Sequence, residues 1–412
     1  MDTLFLSRAA NASALASAQV AASHAAFKRT PMRVIALVAV ALSQAPAFDR
    51  TSATAFDAAF QAAADEALLS FDAKSSFVFG FPSSCRGSPP GWWNTANGLT
   101  ALALKDLRRG DSANKPLLRA ALGKHVGDCP SLRPTQNLFN DDQLWWLLLA
   151  TEMAHLDGAD ARWLGAARAG WAEVVQCVTH DCGTAVTWQR QAGPSGGCVP
   201  TTAASNGGYK ASIANSLLML VSAKLHELTG EASYLAMADG LWGWLQSAVL
   251  DASTGLVHDG VEQGSACKLR TGFWSYNVGV PVAALATLYG STRNATYLEA
   301  GAALAQAGMR YFADSGGVCR ETACEGKGSC GCDGNEFRGP FVRGLSSLFQ
   351  WNRDAAIGSF INRTLTSALA HDCNARWQFQ EHWAGPYDMQ ATTDTQLPVL
   401  DLFASAYVVA FP

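Results

Sequence analysis

The sequence has little charge of either sign. Only 16% of its 412 residues are charged, and 30 Lys and Arg stand against 34 Asp and Glu, for a formal net charge of -4. The basic residues are scattered along the chain, which argues against a nucleic-acid-binding protein. Because 49% of the residues are hydrophobic, the chain can bury a large core and need not be disordered.

Long apolar runs are also scarce. One run near the N-terminus, residues 34–42, is too short to span a bilayer, so no stable membrane insertion is expected. Basic residues precede it and small residues follow it, which is typical of a secretory signal. These residues are Lys28, Arg29 and Arg33 before the run, and Ala45 and Ala47 after it.

This pattern predicts the domain organisation. Residues 1–47 are expected to be an N-terminal extension and secretory signal, with the signal starting at Met32, and residues 48–412 a single domain. The alternative is a buried N-terminal helix. Secretion predicts an extracellular or cell-wall-associated protein, and two sequons, at Asn294 and Asn362, would permit N-glycosylation.

Paired C-x-x-C spacings are missing, although the sequence has eleven cysteines, all beyond residue 84. Most lie in Gly-rich stretches, which predicts up to five disulfides and one odd thiol. A zinc site is the alternative for the cluster Cys319, Cys324, Cys330 and Cys332, but the spacing does not favour it. We therefore expect no metal and no cofactor.

Runs of period two are too short to propose a sheet, whereas helical periods recur throughout. Amphipathic segments begin near residues 54, 92, 115, 140, 159, 210, 231, 276, 294, 337, 353 and 394. Tight turns alternate with long loops, which include residues 179–209, 251–275 and 313–336. The pattern predicts an all-α (α/α)6 barrel of about twelve helices, with long Cys-containing loops on the active-site face. An open helical solenoid is the alternative.

The stretch "LFNDDQLWW" places Asp141 and Asp142 in the first turn of a helix. Asn140 is expected to cap this helix, with Gln143 completing a capping box. Acids at a helix start are often only structural, because the helix dipole stabilises anions. However, adjacent side chains can hold their carboxyls about 5 Å apart, as in retaining glycosidases, and the thirteen Trp offer flat faces for sugar rings.

The charges in this turn lead to an expectation for both carboxyls. The dipole is expected to hold Asp141 ionised, and the neighbouring negative charge is expected to raise the pKa of Asp142. The spacing alone does not assign the two catalytic roles.

Several ordered motifs resemble glycoside hydrolase family 76, the α-1,6-mannanases and their fungal cell-wall relatives, from about residue 50 to 408. They include "GWWNTANGLTALA", "FNDDQLWW", "GGYKASIANSLLML", "GLVHDG", "FWSYNVGV" and "DTQLPVLDLFASA". The resemblance implies an (α/α)6 barrel and retaining cleavage of α-1,6-mannosidic bonds. It also implies that Asp141 is the nucleophile and Asp142 the acid/base.

Other residues are expected to bind substrate. Some match family positions on the cleft side, and the tryptophans are expected to stack on sugar rings. Loop packing is the alternative for Trp274 and Tyr276, and a buried helix-start network is the alternative for Asn215. Gln189 and its neighbour Trp188 could line the cleft or pack under it. The predicted substrate-binding residues are Trp92, Trp93, Asn140, Trp145, Gln189, Asn215, Asp259, Trp274, Tyr276 and Asn277. A salt-bridge cluster, not catalysis, is favoured for Glu321, Asp333 and Arg343.

The predicted function is therefore an extracellular, monomeric endo-α-1,6-mannanase acting on a mannan-type polysaccharide or oligosaccharide. A transglycosylase would use the same double-Asp chemistry, and a noncatalytic glycan-binding barrel would keep only the fold. Terpene cyclisation is a further alternative, but it usually requires a third acid after "DD", where this sequence has Gln143.

Overall fold

The computed structural model describes residues 47–73, 91–125, 138–158, 161–192, 198–201, 208–264, 266–327, 330–387 and 391–412. Residues 1–46, which contain nearly all of the predicted N-terminal extension and signal, lie outside the described residues. The same holds for Cys85 and Cys129.

Within these residues the chain forms helix after helix. In chain order the helices are α1 (Ala53–Leu68), α2 (Trp92–Arg109), α3 (Lys115–His125), α4 (Asn140–Leu156), α5 (Ala161–Val175), α6 (Ser212–Thr229), α7 (Ala232–Trp244), α8 (Tyr276–Thr292), α9 (Ala295–Tyr311), α10 (Gly331–Glu336), α11 (Arg338–Asn352), α12 (Ala355–His371) and α13 (Thr393–Ala410). Twelve of them begin close to the predicted positions, and α10 is a short addition.

Six of the helices form a closed inner ring. Helices α2, α4, α6, α8, α11 and α13 pack side by side in this order, and α13 returns to α2. Helices α1, α3, α5, α7, α9 and α12 pack against the outside of the ring. The (α/α)6 barrel is thereby confirmed, and the open solenoid is excluded because the ring closes.

The two ends of the barrel differ in the length of their connections. Turns from an inner to an outer helix are short; for example, α6 ends at Gly230, which adopts φ 71°. Connections from an outer helix back to an inner helix are long. All six inner helices therefore start at the end of the ring that carries the long connections.

Short strands, for which the sequence shows no period-two run long enough to propose a sheet, occur inside these connections. They are β1 (Val178–Thr179), β2 (Ala185–Val186), β3 (Arg190–Ala192), β4 (Cys198–Pro200), β5 (Tyr209–Ala211), β6 (Leu250–Asp251), β7 (Leu256–Glu262) and β8 (Lys268–Phe273). Strand β7 pairs with β5, β6 and β8 in an antiparallel sheet. Most of these strands are too short to show a period-two pattern.

Disulfides brace the same connections. The pairs are Cys177–Cys198, Cys182–Cys267 and Cys324–Cys330, while Cys319 and Cys373 are buried free thiols. The zinc interpretation is therefore wrong, since two of its four thiolates are consumed by the Cys324–Cys330 bond.

Close helix crossings and a buried ion pair hold the ring together. A Cβ on Gly279 of α8 would lie 2.3 Å from the Phe341 Cα of α11, so only glycine permits this approach. Arg343 of α11 donates to both carboxylate oxygens of Asp401 in α13, at 2.8 and 2.6 Å, and to the Asn97 Oδ1 of α2 at 3.0 Å. This interaction confirms the structural role predicted for Arg343.

Among the described helices, none is both long enough and apolar enough to cross a membrane.

Candidate active site

Asp141 and Asp142 lie in the first turn of α4, as predicted, at the end of the ring with the long connections. The predicted capping box is wrong. Phe139 occupies the N-cap position and makes no side-chain cap. The buried Asn140 donates through Nδ2 to the Thr187 carbonyl at 2.7 Å and through its backbone N–H to Trp188 O at 2.9 Å.

Asn140 thus anchors a neighbouring loop to the helix start. Its side chain is fully buried, so it lies beneath the site and not on its surface. The reason for the failed capping prediction is that residues 187–189 pair with the start of α4, and this pairing uses the polar groups of Asn140.

Trp188 holds the first carboxylate. Its indole Nε1 donates to Asp141 Oδ2 at 2.9 Å, whereas Asp141 Oδ1 is shielded from solvent and makes no hydrogen bond. Burial raises the pKa of Asp141 to about 6; the Trp188 bond and helix-start amides oppose this rise, and the charge of Asp333 adds to it. The amides of the helix start favour the ionised form, in the expected direction, but burial outweighs them.

Asp259 is likewise held by a hydrogen bond from an aromatic residue, which lies in the neighbouring strand. Asp259 lies in β7, and its Oδ2 accepts a hydrogen bond of 2.6 Å from the Tyr209 hydroxyl in β5. A Cβ on Gly260 would lie 2.4 Å from the Lys210 carbonyl oxygen and 2.5 Å from the Tyr209 hydroxyl oxygen. The "VHDG" glycine is therefore needed for Tyr209 to reach the strand.

An aromatic group centred on Phe337 lines the neighbouring part of the site. Tyr276 stacks on Phe337 with ring centroids 3.8 Å apart, and Trp274 meets it edge-on at 5.3 Å. Trp93 stacks on the buried Trp145 at 6.1 Å. The charges of Asp259, Asp141 and Asp333 add to burial in raising the pKa of Tyr276, which places this phenol among the carboxylates.

Asp333, from α10, accepts a hydrogen bond of 3.0 Å from the Trp93 indole. The salt-bridge role predicted for Asp333 is thus replaced by contact with a predicted cleft residue. Desolvation by the surrounding protein atoms raises the pKa of Asp333, the Trp93 hydrogen bond opposes this rise, and the charge of Asp394 adds to it. A large part of the Asp333 surface is nevertheless open to solvent. Its charge also acts on Asp141, so it belongs to the site.

The remaining predicted residues have different surroundings. Trp92 packs on Trp146 and donates to the His125 ring, which places it between helices α2, α3 and α4. Gln189 bridges to Phe139 through its backbone. Asn215 is fully buried. Its Oδ1 accepts a hydrogen bond from the Val186 backbone N–H, and its Nδ2 donates to the Val186 carbonyl, as the alternative of a helix-start network predicts.

Asn277 is also buried, at the start of α8, and neither polar atom of its amide has a protein partner. Tyr209 was not among the predicted site residues, and Phe337 and Asp333 were not assigned to the cleft. Trp188 was considered only as a residue that could line the cleft or pack under it. The hint in the sequence was that these four residues lie in the long connections that lead into inner helices.

A comparison with known proteins settles which family carries this arrangement. The family model described as "Glycosyl hydrolase family 76" matches residues 57–411. This chain belongs to glycosyl hydrolase family 76.

Individual family members are similar in sequence or in fold. A protein of Schizosaccharomyces pombe named putative mannan endo-1,6-alpha-mannosidase is 30% identical over 63% of this chain. The match spans about three fifths (59%) of that relative's own length.

Two solved structures share the fold of this family 76 chain. One is an inactive variant of an α-1,6-mannanase of Salegentibacter sp. HEL1_6, with two consecutive aspartates changed to asparagine, in complex with α-1,6-mannotriose. It has a TM-score of 0.70 and 19% identity, over 86% of this chain and 99% of the other. The second, Dfg5 from Chaetomium thermophilum in complex with glucosamine, has a TM-score of 0.74 and 18% identity, over 88% and 92%.

Proposed function

We propose that this chain is a retaining endo-α-1,6-mannanase, with Asp141 as the nucleophile and Asp142 as the acid/base. The observation that carries the proposal is the pair of adjacent carboxyls at the start of an inner helix, beside an aromatic group and two further carboxylates. A consecutive Asp pair is changed in the inactive Salegentibacter variant, which binds an α-1,6-linked mannotriose.

The first chemical step forms a bond between a carboxylate oxygen of Asp141 and the sugar C1. The bond from C1 to the leaving oxygen breaks, and the proton of Asp142 moves to that oxygen. In the second step Asp142 takes a proton from water, the water oxygen bonds to C1, and Asp141 departs as a carboxylate. Two inversions at C1 leave its configuration unchanged.

The electrostatics support this assignment. With a pKa of about 6, Asp141 is mostly ionised at neutral pH, as a nucleophile requires. Asp142, the other carboxyl of the pair, is left to supply the proton that the leaving oxygen takes up. Asp259 and Asp333 can accept hydrogen bonds from sugar hydroxyls, while Tyr276 and Trp274 can stack on ring faces.

The proposal includes an oxidising, extracellular location. Three disulfides among the described residues are typical of secreted proteins. It includes cleavage of the predicted signal, with residues 48–412 acting as a single domain and a monomer.

Activity on linear α-1,6-mannan tests the proposal through the release of reducing ends. Asp141→Asn and Asp142→Asn are each expected to reduce the rate by at least ~10³-fold, because each removes a covalent or proton-transfer group. Asp65→Asn, on the exposed surface of α1, is the matched control and should retain the wild-type rate.

Two results would count against parts of this assignment. Wild-type-like activity of Asp142→Asn would return that residue to a helix-start role. Products longer than the oligosaccharide supplied would show transfer to a sugar in place of hydrolysis.

A further inference from the structure

Trp188 and Tyr209 are neighbours that each hold a different carboxylate. The backbone N–H of Trp188 donates to the Tyr209 carbonyl at 2.7 Å, and the two rings meet edge to face at 5.8 Å. The Trp188 indole N–H donates a hydrogen bond of 2.9 Å to Asp141, and the Tyr209 hydroxyl donates one of 2.6 Å to Asp259.

We propose that Trp188 and Tyr209 form a positioning pair with divided tasks. Trp188 orients Asp141 and keeps it ionised for the chemical step, whereas Tyr209 orients Asp259 for substrate binding. This inference rests on the proposed function for its kinetic consequences, but the effect of Trp188 on Asp141 can be measured without substrate.

The surroundings fix both side chains. The Trp188 carbonyl accepts from the Asn140 N–H at 2.9 Å, and its ring packs on Phe139 with centroids 4.7 Å apart. Tyr209 lies against Gly260, where a Cβ would be 2.5 Å from the hydroxyl. Since neither ring is free to swing, each donor stays aimed at its carboxylate.

The geometry implies a direction of pH dependence. A donor to the ionised carboxylate favours that form, so loss of the Trp188 N–H should raise the pKa of Asp141. Among the described residues, the titratable groups near Asp141 include Asp142 on its own helix, Asp333 from α10 and Tyr276 from α8. Because these groups stay in place when Trp188 is changed, the shift reports the missing donor.

Two conservative variants separate the tasks. Trp188→Phe keeps a ring and removes the N–H. The acid limb of its kcat/KM profile should move up by about one pH unit, because hydrogen bonds to charged groups are among the stronger ones. At pH 6 the ionised fraction of Asp141, and with it kcat, should fall about fivefold. Tyr209→Phe should instead raise KM about tenfold and change kcat less than about threefold.

Matched controls exist elsewhere in the chain. Trp171→Phe removes an indole bond to Ser222, and Tyr297→Phe removes a hydroxyl bond to Asp239. Both lie outside the site, so the pH profile and KM of these variants should match the wild type.

Carboxyl ¹³C NMR of protein labelled at Asp provides a readout that needs no activity. The Asp141 resonance is the one missing in Asp141→Asn, and its titration should move to higher pH in Trp188→Phe. An unchanged titration would overturn the inference, even if the wild type cleaved mannan. A wild type inactive on mannan but with the expected shift would refute the proposed function and leave the role of Trp188 supported. Equal changes in kcat and KM in the two variants would refute the division of tasks.

Discussion

The Arg343–Asp401 ion pair should be a strong determinant of stability, because it links three inner helices in the interior. Only 7% of the Arg343 side chain and 3% of the Asp401 side chain is exposed. Burial raises the pKa of Asp401, and the positive charge of Arg343 opposes that rise. Arg343→Met would leave a buried carboxylate without its bidentate partner.

The expected loss follows from this burial. Breaking a buried pair by removing one partner costs about 3–5 kcal/mol, whereas replacing both partners with apolar residues is often nearly neutral. We therefore expect Arg343→Met to lower the free energy of unfolding by about 3–5 kcal/mol. The double variant Arg343→Met/Asp401→Leu should recover most of this loss.

Urea unfolding at pH 7, followed by tryptophan fluorescence, supplies the four free energies of the double-mutant cycle. Arg168 and Glu231 form a matched control, since their ion pair of 2.6 Å is about half exposed and should couple by less than about 1 kcal/mol. A loss below 1 kcal/mol for Arg343→Met, or additive effects in the cycle, would refute the argument.

Two further substitutions test packing and a buried charge. Gly260→Ala should cost about 1–3 kcal/mol and raise KM, because its Cβ would clash with the Lys210 carbonyl and the Tyr209 hydroxyl; urea unfolding and kinetics measure both. Gly272→Ala, whose Cβ would meet nothing closer than 3.9 Å, should have little effect, and equal behaviour of the two would contradict the clash. Burial raises the pKa of Glu321 to about 8, above its unfolded value of about 4.3, so its contribution is fully present below the unfolded pKa and is lost as pH rises through 8. Glu321→Gln should flatten the fall in the urea midpoint between pH 5 and 8, and an unchanged slope would show that Glu321 is not the group responsible.

The helical framework was predictable from the sequence because it depends on local periodicity. Twelve starts follow from apolar spacing and stop signals, and the alternation of short and long connections indicates the ring. The position of Asp141 and Asp142 is equally local, since it follows from where α4 begins.

The surroundings of the two carboxyls were not predictable, because they depend on distant segments. Trp188 reaches Asp141 only because a loop 47 residues away in sequence pairs with the start of α4. The same pairing changes Asn140 from a cap into an anchor. Burial of Asp141 also reverses the expected direction of its pKa, and the residues of α4 alone do not reveal that burial.

The most direct test of the central claim is the configuration of the first product. Proton NMR during the early cleavage of linear α-1,6-mannan distinguishes the α- from the β-anomer before mutarotation mixes them. Retaining chemistry by Asp141 and Asp142 predicts that the α-anomer forms first. Initial release of the β-anomer would contradict a covalent intermediate on Asp141.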